Sequence, residues 1–337
     1  MKKKTSLKDI AQEAGVSTAL VSYVLTNKEE KARVGQEMAK KIRKIAQKLN
    51  YQPNHIARSL KSGRSDTIGL IVADISNPFF GNIARTIEDE AKRNNYTVIF
   101  GSSDENLDKS SDLINVLLNR QVDGLILIPT EGSEQQIKQL RKQQVPFVLI
   151  DRYFPQLPVS QIGINNFQAS YNAISHLVKT GHQRIGMIAY KTALYHINER
   201  KRGYTEALAD NGQNSMMKLA RYSHIREETR QAIDQLLRGR KPADAVFFAT
   251  NSLAIEGLKY INELGIKVPE ELAVVSFDES EAFDLFYSPI TFIRQPIQEM
   301  GNAAVRVLLE HIRNGEKTPE NICINSELVI RQSSRRR

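Results

Sequence analysis

The 337-residue sequence is poor in the residues that build disulfide or metal scaffolds, and it has no long apolar run. Cys323 is its single cysteine, so no intrachain disulfide can form and a reducing cytoplasm is the expected compartment. The six histidines show no metal-ligand spacing, and neither a metal nor a cofactor is expected. No apolar run approaches the ~18 residues of a membrane span, and the basic N-terminal segment lacks the apolar stretch of a secretory signal.

Recognisable catalytic motifs are also missing. The sequence contains no G-x-S-x-G elbow, no Walker phosphate loop and no paired-carboxylate motif. No catalytic residue is therefore predicted, and the chain is not expected to be an enzyme. A carbohydrate-active enzyme or a binding protein with a basic appendage stays open as an alternative.

The positive charge is concentrated in the first fifth of the chain. Residues 1–66 contain 15 basic and 6 acidic residues, whereas residues 67–337 contain 32 of each. This distribution indicates a module that meets a polyanion, attached to an electrostatically neutral body. A solvated basic arm is the simpler alternative on charge alone.

Residues 6–27 carry the pattern of a helix-turn-helix. Ser6 and Asp9 form an approximate capping box, Gly15 suits a left-handed helix end, and Ser17 can cap a second helix. Apolar residues at helical spacing give each helix a buried face. The second helix would then present Thr18, Ala19, Ser22 and Tyr23 outward at the end that meets base edges in the major groove.

Two further segments follow this motif. The spacing predicts a third helix over 36–50 with a basic outer face for phosphate contacts. A short helix beginning near Pro53 and a linker through Gly63 would come next. Leu60 would be exposed in a free hinge, and an apolar wedge between base steps of the minor groove is one reason for it.

From residue 67 onward, apolar strands alternate with amphipathic helices, and the pattern restarts after residue 160. This predicts an α/β body of two doubly wound parallel-sheet lobes. Ligands bind such sheets beyond the carboxyl ends of the strands. The residues there include Asp74, Asp151, Arg152, Asn251 and Asp278, a mixture that suits a small polar molecule.

These stretches resemble the lac/gal repressor (LacI/GalR) family of bacterial transcription regulators. The resemblance rests on LKDIAQEAGVSTALVSYVL and YQPNHIARSLKSGRSDTIGLI in the head. It continues through DISNPFFG, DGLILIP, PFVLIDR, GHQRIGMIA, R-K-R-G-Y, VSFDES and RQPIQEMG in the body. It implies an all-α helix-turn-helix head and a periplasmic-binding-protein-like α/β body, with no membrane contact.

The resemblance also implies a homodimer on palindromic double-stranded operator DNA, and it assigns roles to residues of the head. Bases would face Thr18, Ala19 and Tyr23. The DNA backbone would be bound, or the reading helix oriented, by Ser17, Ser22, Asn54 and Arg58. The minor groove would receive Ala57, Leu60 and Lys61.

The resemblance finally implies that a small polar effector binds between the lobes. The residues that would bind it are Phe79, Asp151, Arg200, Asn251 and Asp278, with Asn77 and Arg152 as secondary candidates. A sugar or sugar derivative is the expected effector, and a nucleobase or a protein corepressor stays open.

The implied domains are a helix-turn-helix over 1–52, a hinge over 53–66, and two lobes over 67–162 with 293–322 and over 163–292 with 323–337. Cys323 is expected in the core. The terminal S-S-R-R-R is expected to be disordered.

Overall fold

A computed structural model describes residues 5–30, 32–51, 63–315 and 318–335. The chain divides into a head, Met1–Ser65, and a body, Asp66–Arg337. The predicted hinge contacts lie outside the described residues; they are Asn54, Ala57, Arg58, Leu60 and Lys61. In the described part of the chain, no helix is long and apolar enough to cross a membrane.

The described residues of the head form three helices, α1 (Leu7–Ala14), α2 (Thr18–Leu25) and α3 (Gln36–Lys48). Ser6 and Asp9 form the predicted capping box, and Gly15 ends α1 in the left-handed conformation. The Ser17 side chain accepts a hydrogen bond from the Leu20 amide and starts α2. Apolar faces of all three helices meet in one small core, in which the fully buried side chains are Ile10, Val21, Val24 and Ile42.

The body contains two six-stranded sheets with the same winding. The first has the order β11-β5-β4-β3-β1-β2 and the second has the order β12-β10-β9-β8-β6-β7. All neighbouring strands run parallel except β10 and β12. Two doubly wound lobes are therefore present, as the alternation of strands and helices predicted.

Lobe 1 contains the first sheet and the helices that cover it. Its strands are β1 (Thr67–Val72), β2 (Thr97–Ser102), β3 (Gly124–Leu127), β4 (Phe147–Ile150), β5 (Gln161–Ile164) and β11 (Asn321–Ile324). Its helices are α4 (Pro78–Arg93), α5 (Leu107–Asn119), α6 (Glu134–Lys142) and α12 (Ile297–Asn314).

Lobe 2 contains the second sheet. Its strands are β6 (Ile185–Tyr190), β7 (Met216–Ala220), β8 (Ala245–Phe248), β9 (Ala273–Phe277), β10 (Thr291–Arg294) and β12 (Glu327–Val329). Its α-helices are α7 (Asn166–Lys179), α8 (Tyr195–Ala209), α9 (Ile225–Leu237), α10 (Asn251–Glu263) and α11 (Ala282–Leu285). Short 3-10 turns cover Tyr222–His224 and Gln332–Ser334.

The chain passes between the lobes three times, after β5, after β10 and after β11. These strands end at Ile164, Arg294 and Ile324, two residues beyond each boundary taken from the sequence. Gln295 lies directly after β10, and its amide donates to Asp278 at 2.6 Å.

Two expectations about the C-terminal region were wrong. Cys323 is exposed on the edge strand β11, because that strand has a neighbour on one side only. Ser333 and Ser334 are fully buried rather than disordered. Their hydroxyls bind polar groups of lobe 2: Ser333 donates to the Val274 carbonyl at 2.6 Å and accepts from the Thr291 amide at 2.8 Å, and the Ser334 hydroxyl lies 2.6 Å from that of Thr291.

Candidate functional site

The outward surface of α2 is the candidate nucleic-acid interface of the head. Thr18, Ala19 and Tyr23 are exposed there, and Tyr23 is 45% exposed. Ser22 is half-buried, and the Ser17 hydroxyl is engaged as the helix cap. These exposed side chains lie together on the outward surface of the second helix of the helix-turn-helix, the helix that enters the major groove.

The basic face of α3 is partly tied to the head itself. Lys41 donates to the Ala14 carbonyl at 3.2 Å, and Lys48 pairs with Glu13 at 2.9 Å. Arg43 pairs with Glu29. The two ion pairs are exposed and contribute little to stability, because solvent screens such pairs. Phosphates can therefore compete for these side chains.

A cavity of about 170 Å³ lies between the two lobes of the body, at the carboxyl ends of the strands. Its walls include Asn77, Phe79, Asp151, Arg152, Arg200 and Asp278 from the predicted set. The two sheets place these residues together because both lobes direct their strand ends toward the same gap. The volume suits a small molecule.

Arg200 on α8 is held at the back of the cavity and is 2% exposed. Its Nε donates to Asn166 and one terminal nitrogen donates to the Ala249 carbonyl, both at 2.8 Å. Its guanidinium carbon lies 3.4 Å from the centre of the Phe277 ring, and a terminal nitrogen lies 3.7 Å from Asp278. These contacts fix the side chain before any ligand enters, which lowers the entropy cost of binding.

Asp151 and Asp278 occupy matching positions in the two lobes. Each follows the strand that is fourth from the β2 or β7 edge, and each has a left-handed backbone, with φ of 67° and 66°. Aspartate tolerates this conformation better than most residues. The matched turns bring two buried carboxylates to one cavity, where both can accept hydrogen bonds from a ligand.

Arg152 forms a bidentate ion pair with Glu105, a residue that follows β2. The two nitrogen–oxygen distances are 2.7 and 2.6 Å. The Arg152 side chain is 8% exposed and the Glu105 side chain is 18% exposed. Both line the cavity, and the pairing raises the pKa of Arg152 against the opposing effect of burial.

Three buried polar atoms of cavity-lining residues have no hydrogen-bond partner among the described residues. They are Arg152 Nε, His196 Nδ1 and Gln295 Oε1. Burial and the neighbouring cations Arg152 and Arg200 lower the pKa of His196 well below its ordinary value, so its ring is neutral. Buried polar groups are normally satisfied, and a cluster of unsatisfied ones around a cavity indicates a site for a polar ligand.

Hydrogen bonds join the two lobes at the edges of the cleft. Asn77 and Asn251 exchange side-chain hydrogen bonds at 3.0 and 3.2 Å. Glu131 accepts from the Thr192 hydroxyl at 2.6 Å and from the Ala193 amide at 3.1 Å. The Tyr222 hydroxyl donates to Asp74. These links hold the lobes around the cavity.

The structure separates one predicted residue from the cavity and adds several others. Asn251 is fully buried against Asn77 and lines the neighbouring surface cleft, while Thr250 and Ser252 line the cavity itself. Gln295 follows β10 directly, so the rule that ligands bind at strand ends could have found it. Glu105 and His196 were missed because they lie in a loop and on a helix rather than directly after a core strand. No local pattern marks such positions, since their chemistry depends on the partner they meet.

Burial of Asp151 makes the stability of the body depend on pH. Burial raises the pKa of Asp151 from 3.8 to about 6, against the opposing effect of Arg152 and Arg200. Its contribution to stability is present below pH 3.8 and is lost as the pH rises through 6. Asp151→Asn should therefore remove about 2 kcal/mol of the fall in unfolding free energy that the wild type shows between pH 4 and pH 7.5.

Urea unfolding of both proteins at the two pH values measures this difference. Asp112→Asn, a change at an exposed carboxylate, is the control and should leave the difference near zero. If the Asp151→Asn protein has the same stability as the wild type at both pH values, the raised pKa of Asp151 is contradicted.

The fold and site together define a class: a helix-turn-helix head joined to a body that resembles periplasmic binding proteins. Family models agree with both parts. Residues 6–54 match the bacterial regulatory proteins of the lacI family, and residues 174–334 match a periplasmic binding protein-like domain.

Relatives match nearly the whole chain. Catabolite control protein A of Priestia megaterium is 30% identical over 332 residues, which are 97% of this chain and 98% of that protein. The transcriptional repressor CytR of Escherichia coli K12 is 31% identical over 335 residues, which are 98% of this chain and 96% of that protein. The chain belongs to the LacI family of bacterial regulatory proteins, and it is a DNA-binding, effector-controlled transcription regulator.

Solved structures share the fold. The lac repressor dimer bound to operator and an anti-inducer matches with a TM-score of 0.86 over 99% of this chain and 100% of that chain, at 23% identity. A LacI-family regulator of Enterococcus faecium with bound ribose matches with a TM-score of 0.71, over 80% of this chain and 98% of that chain, at 26% identity.

Proposed function

We propose that this protein represses transcription by binding a palindromic operator as a homodimer in the cytoplasm, and that a small polar effector in the inter-lobe cavity sets its affinity for DNA. The observation that carries the proposal is the cavity lined by buried, unpartnered polar atoms. A regulator needs such a binding site in the same chain as its DNA-reading helix. Its relatives named above are regulators, and we propose that the effector is bound without being chemically changed.

The homodimer follows from the size of the reading surface. A helix of eight residues reaches few base edges, and a second copy related by two-fold symmetry doubles the contacts on a palindrome. Ser17, Thr18, Ala19, Ser22 and Tyr23 would meet the major groove. The hinge residues assigned from the family resemblance would meet the DNA backbone and minor groove.

Control by the effector would act through the angle between the lobes. A molecule bound by both Asp151 of lobe 1 and Arg200 and Asp278 of lobe 2 stabilises one relative position of the lobes. That position would set the spacing of the two hinge segments of a dimer, and so whether they order on DNA. Coupling of about 1–3 kcal/mol would change operator affinity roughly 5- to 150-fold.

The effector that fits best is a sugar or a sugar derivative. Phe79 supplies a ring for stacking, and the two carboxylates accept hydrogen bonds from hydroxyl groups. The Enterococcus faecium relative was solved with ribose. A nucleobase-controlled or protein-corepressor-controlled regulator is the alternative within the same fold.

The test begins with selection of an operator from random DNA by the purified full-length protein. A thermal-shift panel of sugars, nucleosides and purines then identifies ligands, because binding to the folded state raises the melting temperature. A palindromic consensus whose binding changes with a stabilising ligand supports the proposal. Failure to enrich any sequence, or a ligand that leaves operator binding unchanged, contradicts it.

Tyr23→Ala should weaken binding to the selected operator by about tenfold or more, because each lost base contact costs about 1–3 kcal/mol. Binding to unrelated DNA should change little, since that binding depends on phosphate contacts. Fluorescence anisotropy with both DNAs measures the ratio. Tyr287→Ala, which removes an exposed tyrosine of lobe 2, is the control. Equal losses on the two DNAs would exclude Tyr23 as a base reader.

A further inference from the structure

We infer that Glu105 makes the inter-lobe cavity reject anionic ligands, so that the effector is an uncharged, hydroxyl-rich molecule rather than a phosphate ester or a carboxylate. The inference rests on the proposed function, because it concerns the ligand of the same cavity. It also separates this chain from a regulator of the same fold that responds to a phosphorylated metabolite.

Arg152 would be the natural phosphate-binding side chain of the cavity if it were unpaired. Guanidinium groups bind carboxylates and phosphates in the same two-pronged geometry. Here that geometry is already taken by Glu105, with nitrogen–oxygen distances of 2.7 and 2.6 Å. A phosphate could bind Arg152 in this way only by displacing Glu105 and leaving a half-buried carboxylate beside itself. Nε of Arg152 has no hydrogen-bond partner among the described residues, but it offers only one N–H and cannot replace the two-pronged geometry.

Arg200 is also bound to groups of lobe 2. It is bound to Asn166 and the Ala249 carbonyl, its flat face lies on Phe277, and Asp278 lies 3.7 Å away. The carboxylate of Asp278 offsets its charge at close range. An approaching anion would therefore meet an ion pair rather than a free cation.

The remaining charges of the cavity wall are mainly negative. The wall contains five carboxylates and three cationic side chains; they are Asp74, Glu105, Glu131, Asp151 and Asp278, and Arg152, Lys191 and Arg200. Lys191 is exposed to solvent, where its charge is screened. The carboxylate of Asp151 forms an ion pair with Arg152 Nε at 3.7 Å, and Arg152 shares its charge between this carboxylate and Glu105. An anion would be repelled by this surface, whereas hydroxyl groups would satisfy it.

Side chains cap two of the helix N-termini at the cavity, whereas no side chain caps α8, which begins beside the cavity-lining Leu194. Helices α4 and α10 begin at the cavity, and first-turn amides of both are already capped by side chains. Asn77 accepts from the Phe79 amide at 3.0 Å, and Thr250 accepts from the Leu253 amide at 3.4 Å. The amides that would otherwise bind an anion are thus partly satisfied within the chain.

Matched pairs of ligands test the inference on the full-length protein. Ribose, glucose and cytidine are titrated beside ribose 5-phosphate, glucose 6-phosphate and cytidine 5′-monophosphate, with thermal shift and calorimetry as readouts. At least one uncharged member should bind the wild type, and its phosphate ester should bind about tenfold or more weakly. An ester that binds the wild type as tightly as its parent overturns the inference. So does a panel in which no uncharged member binds.

Variants test the role of Glu105 itself. Glu105→Gln should release Arg152 and increase ester affinity about tenfold or more relative to the uncharged parent. Asp104→Asn is the matched control, because this neighbouring carboxylate pairs with Lys109 outside the cavity and should leave selectivity unchanged. The double variant Glu105→Gln/Arg152→Gln should not show this increase in ester affinity, because the Arg152 cation is then absent.

A folded Glu105→Gln protein that discriminates against esters as the wild type does overturns the role of Glu105. If the Glu105→Gln protein does not fold, the comparison of the ligand pairs on the wild type decides the inference alone.

Failure of this inference can be distinguished from failure of the proposed function. A ligand of either charge that binds without changing operator affinity contradicts the proposed function, whereas an anionic ligand that changes operator affinity contradicts only the present inference.

Discussion

Arg200→Ala is expected to abolish the effector response while operator binding without effector persists. Arg200 lies in the cavity wall, and its loss removes a donor to the ligand and uncovers Asp278. Removing one partner of a buried pair leaves an uncompensated charge, which costs about 3–5 kcal/mol of stability. The response should therefore disappear together with a clear fall in the melting temperature of the body.

Operator binding with and without the identified ligand measures this effect, and thermal unfolding measures the fall in stability. The control is Arg202→Ala, two residues along the same helix. Arg202 pairs with Glu199 and Glu206 on the exposed face and lies outside the cavity. A folded Arg200→Ala protein that responds at ordinary ligand concentrations would show that the ligand binds elsewhere.

Gly203→Ala should destabilise the body by about 3 kcal/mol, because two helices pack too closely here for a side chain. A Cβ atom at Gly203 on α8 would lie 2.2 Å from the Phe167 carbonyl oxygen and 3.0 Å from the Tyr171 amide nitrogen of α7. Both are backbone atoms, so no side-chain rotation relieves the clash and the helices must separate. The shift would also move Arg200, one turn earlier on α8, and weaken effector binding.

Urea unfolding monitored by circular dichroism measures the loss. Gly81→Ala on α4 is the control, because open space surrounds its Cβ position and alanine favours a helix by about 1 kcal/mol over glycine. The control protein should be as stable as the wild type or more so. A Gly203→Ala protein of wild-type stability would mean that α7 and α8 can separate without cost.

Packing in the folded chain explains three residues of the motif R-K-R-G-Y. The resemblance assigned Arg200 to the ligand, whereas the structure also explains the glycine and the tyrosine. Gly203 allows α8 to approach α7, and the Tyr204 hydroxyl donates to the Ile185 carbonyl at 2.8 Å and accepts from the Met216 amide at 2.7 Å. These contacts fasten α8 to β6 and β7, and so fix the place of Arg200 beside the cavity.

Local features could be predicted from the sequence because they depend on neighbours along the chain. The capping box of Ser6 and Asp9, the left-handed Gly15 and the cap at Ser17 each involve residues within a few positions. The alternation of strands and helices is similarly local, since burial of a strand on both faces leaves an uninterrupted apolar run. The difference in net charge between head and body follows from residue counts alone.

Contacts between distant segments could not be predicted in this way. Glu105 meets Arg152 across 47 positions, and Asn77 meets Asn251 across 174. Nothing next to Glu105 in the chain indicates its partner, and the buried Ser333 and Ser334 resemble an ordinary polar tail.

The sequence alone thus determined the two-part organisation, the helix-turn-helix, the winding of the lobes and most residues at the strand ends. The tertiary structure decided which of those residues share a cavity, which cations are already paired and which polar atoms are left for a ligand. The physical reason is that helix caps and apolar periodicity act over a few residues. Charge compensation and burial depend on which distant segments the fold brings within a few ångströms of each other.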